Sequence, residues 1–172
     1  SMLKIVGAIC ILIATSWIGF EASKAFTERT RQLRMLKSAL QSLEAEIMYG
    51  HAPLHDASRR IANQMSKPIE TIFENFSSLL LQGDITAKEA WEISLKTIWN
   101  RTYLKKNELE ILLQFGETLG KHDRVQQQKH IQLALVHLER EEVEARERQA
   151  SYGNMVKNLG FLSGLFIIIL LM

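Results

Sequence analysis

The chain has 172 residues, of which 21 are Lys or Arg, 19 are Asp or Glu and one is Cys. This length allows one ordinary domain or two small ones, and a net charge of +2 is too small to indicate a nucleic-acid partner, which requires a concentrated basic face. A single cysteine excludes the class of secreted proteins that internal disulfides hold together. Ser1, which precedes Met2, is interpreted as a remnant of a tag.

Charged residues are concentrated in the middle of the chain. The N-terminal apolar segment, residues 3–20, carries Lys4 as its only charge, and the C-terminal apolar segment, residues 159–172, carries none. The 138 residues between them, 21–158, hold the other 20 basic and all 19 acidic residues. Two apolar ends therefore enclose a charged middle.

The N-terminal apolar segment has the length of a membrane-spanning helix. Its residues would measure about 27 Å as a helix, close to the roughly 30 Å hydrocarbon core of a bilayer, and Trp17 and Phe20 suit the interface at its polar end. The alternative is a cleaved signal peptide, with Lys4 as its charged start and residues 14–16 as a cleavage box. Trp17 directly after that box argues against cleavage. Cys10 follows a bulky residue, which excludes a lipoprotein cleavage site.

Apolar residues recur at helical spacing through the charged middle. In its first stretch they step by seven, three, four, three and four at Phe26, Leu33, Leu36, Leu40, Leu43 and Ile47. No Pro or Gly interrupts the chain between Glu21 and Tyr49. This predicts that the N-terminal apolar helix continues directly into this stretch, which ends at Gly50.

Turn and cap residues divide the rest of the middle into further helices. Pro53 and Pro68 suit first helical turns, and Gly83 and Gly120 suit helix ends. Cap pairs three residues apart mark two more helix starts: Thr86 with Glu89, and Asp123 with Gln126. Strand signals are absent from the sequence, because Val is sparse and no Asn-Gly or Asp-Gly hairpin turn occurs. The sequence therefore predicts an all-α fold, a bundle of about six helices flanked by two transmembrane helices.

The C-terminal apolar segment is shorter, and as a helix it would measure about 21 Å. Apolar runs of this length are often buried core helices, but this one has no polar face and follows Lys157, which can reach toward an interface. Gly160 and Gly164 form a Gly-x-x-x-Gly pair, which permits close contact between membrane helices. We expect the pair to pack against the N-terminal segment, most simply at Gly7, Cys10 or Ala14.

Basic residues beside the apolar segments predict the orientation in the membrane. Lys4 is the only one at the start of the first segment, whereas five follow its end: Lys24, Arg29, Arg31, Arg34 and Lys37. Four more precede the second segment: Arg140, Arg146, Arg148 and Lys157. Residues 1–20 and 159–172 are therefore predicted to be transmembrane segments of a two-pass protein, with both termini outside and residues 21–158 forming a cytoplasmic bundle.

The sequence offers no catalytic or metal-binding constellation. Its histidines are His51, His55, His122, His130 and His137. His130 and His137 could share a helix face, but seven residues span about 10 Å, too far for two ligands of one ion. No phosphate-loop, zinc-protease, serine-hydrolase or dinucleotide-binding motif occurs. We therefore interpret the chain as a non-enzyme with no cofactor, no metal and no small-molecule substrate.

A strongly charged stretch precedes the C-terminal segment. Eight of the ten residues from Glu139 to Arg148 are charged, and two pairs lie four apart in the favourable order: Glu142 with Arg146, and Glu144 with Arg148. Two interpretations stay open, a solvated helix or a docking surface for another protein. The residues of the candidate docking surface are Glu142, Arg146 and Arg148.

Several stretches resemble a known family when taken in this order. They are residues 43–49 followed by Pro53-Leu54, residues 119–123 followed by Gln126 and His130-Ile131, and residues 157–165. Their order and spacing resemble the stage III sporulation protein AB family of endospore-forming Firmicutes, nearly from end to end.

The resemblance implies a role in assembly rather than catalysis. The family is described as a component of a channel complex between mother cell and forespore, with a bundle similar to that of platform proteins in type II secretion and type IV pilus systems. It therefore implies a membrane scaffold that contacts a cytoplasmic ATPase from its own operon and other channel-complex membrane proteins. One copy of the bundle per chain is compatible with a homo-oligomer. The alternative is a membrane-bound helical signalling module that acts on a cytoplasmic partner.

Overall fold

The computed structural model describes residues 1–121 and 123–171, and most of these residues are helical. His122, one of the histidines considered above, and Met172, the last residue of the C-terminal segment, lie outside the described residues. Within that part there are six α-helices, one 3-10 turn and no strand: α1 (Met2–Tyr49), α2 (Leu54–Gln64), α3 (Ile69–Gln82), α4 (Ala87–Ile98), the 3-10 turn (Trp99–Arg101), α5 (Lys106–Gly116) and α6 (Arg124–Leu171). The predicted all-α class is confirmed.

The first and last helices are both 48 residues long. Helix α1 runs unbroken from the N-terminal apolar segment into the charged middle and ends directly before Gly50, as predicted. Helix α6 continues unbroken through Gly153. A glycine in a helix interior costs only about 1 kcal/mol relative to alanine, which a helix of this length tolerates.

Local signals account for the ends of the inner helices. Helix α3 ends at Gly83, whose φ of 75° is a left-handed conformation that glycine adopts without strain. At the start of α4, the Thr86 side chain accepts a hydrogen bond of 3.1 Å from the Glu89 N–H. Asp123 Oδ1 accepts from the N–H groups of Val125 and Gln126. The helix ends predicted at Gly83, Thr86 and Asp123 are thereby confirmed, whereas α5 ends at Gly116 and not at the predicted Gly120.

Residues 31–143 form one of two compact units, and an aromatic cluster lies in its core. The fully buried Trp91 ring meets the rings of Phe73, Phe76 and Phe115 edge to face, at centroid distances of 5.6, 5.2 and 5.7 Å. Its indole N–H donates to the Leu112 carbonyl at 2.9 Å, so the polar atom of this ring is satisfied. The cluster joins α3, α4 and α5.

The stripe predicted on α1 supplies a second part of this core. Leu33, Leu36, Leu40 and Leu43 are completely buried, whereas Ile47 is half-buried. On α6 the buried apolar residues are Ile131, Ala134 and Leu138. Burying these side chains supplies the main favourable free energy for folding of the unit.

Residues 1–30 and the part of the chain from Glu144 onward form the other unit. Both α1 and α6 are long and apolar enough to cross a membrane, and none of the most apolar 18-residue stretch of each is buried. Helices in the core of a soluble protein bury such surface, so the core-helix alternative for the C-terminal segment does not hold. Beyond the apolar stretches, the rings of Phe26 and Tyr152 stack at 4.8 Å.

Candidate functional site

Charged side chains connect α1 and α6 within the unit of residues 31–143. Lys37 Nζ donates to Glu142 Oε2 at 2.6 Å and also to Glu139. Arg34 Nε donates to the other carboxylate oxygen, Glu142 Oε1, at 3.3 Å. Burial alone would lower the pKa of Lys37, but its hydrogen bonds to Glu139 and Glu142 outweigh that effect and raise its pKa above the ordinary value. The cluster is thus a charge-assisted clasp between two helices that are distant in sequence.

Glu142 was expected on an exposed docking surface, and this part of the prediction is wrong. The residue is only 4% exposed, and both of its carboxylate oxygens accept hydrogen bonds from α1. It continues the buried stripe of α6, because it lies four residues after Leu138 and three before Ala145. This spacing is visible in the sequence, but the high density of charged residues around Glu142 led to the prediction of a solvated helix.

The other two residues of the candidate docking surface are exposed, and they belong to the unit that contains Glu144 onward. Arg148 Nη2 donates to Glu144 Oε1 at 2.8 Å, which confirms the predicted pair four residues apart. The side chain of Arg148 is 53% exposed, so this pair adds little to stability. Arg146 is also exposed. Docking of a partner at these two arginines stays a prediction.

The glycine pair of the C-terminal segment lies in open space. A Cβ atom placed at Gly160 or Gly164 would have no other part of the described chain within 4 Å, and the same holds for Gly7. The close packing expected between this pair and Gly7, Cys10 or Ala14 of the N-terminal segment is therefore not formed within the described residues. A role of the pair in packing against a helix of another chain stays a prediction.

The described residues contain no group of three or more His, Cys, Asp or Glu side chains that could hold a metal ion. A surface depression follows one side of α4, lined by Glu89, Glu92, Ile93, Lys96 and Thr97. Lys96 Nζ donates to Glu92 Oε1 at 2.7 Å, and the Thr97 hydroxyl donates to the Ile93 carbonyl. The hydroxyl is thus used within its own helix and is not placed beside a general base.

Comparison with known proteins identifies the family. The sequence model of the family described as stage III sporulation protein AB matches residues 4–172 of this chain. The chain belongs to the stage III sporulation protein AB family. It is 58% identical to stage III sporulation protein AB of Bacillus subtilis (strain 168) over 171 residues, which cover 99% of this chain and all of the relative.

A solved structure agrees with this assignment. The chain is similar to a structure of stage III sporulation protein AB with a TM-score of 0.70 and 59% sequence identity. The match covers 72% of this chain and 98% of the other. The resemblance inferred from the three sequence stretches is confirmed, and with it the connection to sporulation. The exposed apolar helices at both ends fit a two-pass membrane protein.

Proposed function

We propose that the chain is a non-catalytic membrane platform of a channel complex, similar to a secretion system, between mother cell and forespore. The observation that carries this proposal is the exposure of both terminal apolar stretches on helices that also build the unit of residues 31–143. Exposed apolar surface of this extent requires lipid or a partner to cover it. Membership of a sporulation family supplies the cellular setting.

The proposed location is the mother-cell membrane, with residues 21–158 in the cytoplasm and both termini outside. The basic residues that follow the N-terminal segment and precede the C-terminal one support this orientation, since cytoplasmic flanks carry an excess of Lys and Arg. In this orientation the helical unit is accessible to cytoplasmic proteins.

The proposed cytoplasmic partner is an ATPase encoded in the same operon, together with other membrane proteins of the channel complex and further copies of this chain. The exposed Arg146 and Arg148 are the residues proposed to contact the ATPase. Arginine suits such a role because its planar guanidinium forms two parallel hydrogen bonds with a carboxylate on a partner surface.

A signalling module is the second candidate, and the unbroken α1 helix favours it. One continuous helix that extends from a membrane segment into a cytoplasmic unit could transmit a displacement. The two candidates differ in the partner, which is an ATPase for the platform and a kinase or response regulator for the signalling module.

The test is site-specific crosslinking in sporulating Bacillus subtilis that produces this chain in place of its own relative. A photoreactive amino acid replaces Arg146 or Arg148 in the full chain, and the exposed Gln82 serves as the matched control position. We expect an ATPase to be captured from the arginine positions and not from Gln82. Capture of a kinase or response regulator would support the alternative, and capture of neither class would contradict both.

A further inference from the structure

Two loops are hydrogen-bonded to Arg31 and Gln32, the first two residues of the unit of residues 31–143. Arg31 donates to the Ser66 hydroxyl at 3.5 Å and to the Lys67 carbonyl at 3.1 Å. Gln32 Oε1 accepts from the Tyr103 N–H at 2.9 Å. The basic loops, which we define as residues 66–68 and 99–107, therefore lie at the end of the unit where α1 enters it.

The second of these loops has an ordered backbone. The Trp99 indole N–H donates to the Lys105 carbonyl at 3.3 Å, and the Thr102 hydroxyl donates to the Trp99 carbonyl at 2.7 Å. The Lys105 N–H donates to Glu108 Oε2 at 2.8 Å. Because its internal hydrogen bonds fix the backbone, the loop presents its side chains without a large cost in conformational entropy.

Four of the eight exposed residues of the basic loops are cationic, namely Lys67, Arg101, Lys105 and Lys106, and the Tyr103 ring is also exposed. Residues 99–107 contain three basic residues and no acidic one. Glu108, the next acidic residue along the chain, is fully buried. The surface therefore presents concentrated positive charge with an aromatic ring, a combination that suits the headgroup region of an anionic membrane.

The length of chain between the N-terminal apolar segment and the basic loops decides whether they can reach a membrane. Ten residues, 21–30, separate Phe20 from Arg31. Even fully extended, ten residues span at most about 35 Å, so the basic loops stay within reach of the membrane that holds the N-terminal segment.

We propose that the basic loops dock onto the anionic phospholipid headgroups of the membrane that holds the N-terminal segment. The inference rests on the proposed anchoring in a membrane. It assigns the loops a ligand, anionic phospholipid, whereas the platform role assigns them none. Docking would hold this end of the helical unit at the lipid surface.

Basic residues at the other end of the helical unit provide a matched control. Gln128 Nε2 donates to Glu44 Oε1 at 3.1 Å, so the first turns of α6 lie beside the last turns of α1. Arg124 and Lys129 are exposed there. Reversing these two charges changes the net charge as much as reversing two charges in the basic loops.

The experiment uses the full chain in lipid nanodiscs, with Cys10→Ser and a fluorophore on Asn107→Cys. The discs contain either phosphatidylcholine alone or equal parts of phosphatidylglycerol and phosphatidylcholine, each with a trace of headgroup-nitroxide lipid as quencher. We expect stronger quenching with phosphatidylglycerol, and loss of this difference at high salt. Each basic side chain at an anionic surface shifts the equilibrium between docked and undocked loops by roughly fivefold. Arg101→Glu with Lys106→Glu should therefore shift that equilibrium about 25-fold toward the undocked state. Arg124→Glu with Lys129→Glu should keep the phosphatidylglycerol effect.

The outcomes separate this inference from the proposed function. Failure of the chain to insert into any disc would contradict the membrane anchoring itself. Insertion with equal quenching in both lipids would overturn lipid docking and leave the platform role standing. A photoreactive group at position 107 that captures a protein in cells, combined with equal quenching, would show that the surface is a protein-docking site. Far-UV circular dichroism checks that both double variants fold.

Discussion

At the scale of single residues, the contact between Lys37 and Glu142 joins two positions that are 105 apart in sequence. The carboxylate of Glu142 is buried, and its oxygens are occupied by Lys37 and Arg34. Removal of one partner from a buried ion pair is strongly destabilising, because the remaining charge keeps its desolvation cost. In contrast, the pair of Lys96 and Glu92 is largely exposed and lies within one helix.

We predict that Lys37→Met lowers the free energy of unfolding by about 2 kcal/mol, since Arg34 retains part of the compensation for Glu142. The difference from the unsubstituted chain should depend on pH. The folded-state pKa of Lys37 lies above the ordinary value of 10.5, so its contribution is fully present below that pH and is lost as the pH rises through the folded-state pKa. Denaturant unfolding, followed by tryptophan fluorescence at neutral and strongly alkaline pH, measures both effects.

The matched control for this prediction is Lys96→Met. Because Lys96 pairs with Glu92 at an exposed site, its loss should cost less than about 0.5 kcal/mol. Equal destabilisation by the two substitutions would show that the clasp between α1 and α6 does not contribute to stability beyond an ordinary surface pair.

At the scale of the elements, α6 has different surroundings along its length. Its buried residues Ile131, Ala134 and Leu138 face the core of the helical unit, and Glu142 continues that face. Farther along, a Cβ atom placed at Gly160 or Gly164 would have no other part of the described chain within 4 Å. One helix therefore serves as a core element in its first half and exposes an apolar surface in its second.

The open surroundings of the glycine pair allow a clean substitution. An added Cβ at Gly160 or Gly164 meets no atom of the described chain within 4 Å, so we expect Gly160→Leu with Gly164→Leu to retain the fold. If the pair contacts a helix of another chain, the larger side chains hold the backbones apart and association should weaken severalfold. Crosslinking between membrane helices in detergent or in cells measures this association.

Gly7→Leu with Gly19→Leu is the matched control, because both of these positions are also open. The control should leave association unchanged. Equal crosslinking in the glycine-pair variant, the control and the unsubstituted chain would refute a packing role for the pair.

At the scale of the whole molecule, the apolar stretches lie at both ends of the chain and are exposed, whereas the middle buries an aromatic and aliphatic core. A chain of this kind needs two environments, lipid for its ends and water for its middle. Orientation across the bilayer is then a property of the complete chain, since both apolar ends and their basic flanks contribute to it.

We predict that Leu3→Cys reacts with a membrane-impermeant maleimide on intact cells, in a chain that also carries Cys10→Ser. Asn100→Cys in the same background should react only after lysis, because it lies on the exposed 3-10 turn, in the part of the chain that we propose to be cytoplasmic. Gel shifts of the labelled chain measure both reactions, and Cys10→Ser alone is the unreactive control. Labelling of Asn100→Cys on intact cells would contradict the orientation, and a shortened chain without the Leu3→Cys label would indicate a cleaved signal peptide.

Local patterns in the sequence determined the helices of this protein. These patterns act within one or two helical turns. They are the apolar spacing of three and four residues, the caps Thr86 and Asp123, and Gly83 at the C-terminal end of α3, so these helix ends could be predicted. Membership of the sporulation family was also visible from short stretches in a fixed order.

Only the tertiary structure decided which charged residues are buried and which loops meet. Glu142 was predicted to be exposed because its neighbours in sequence are charged, but Lys37 from another helix covers it. Likewise, Arg31 and Gln32 hold loops that lie 35 and 71 residues away. Such contacts depend on where the packed core brings distant helices together, and no pattern within a single helix encodes that distance.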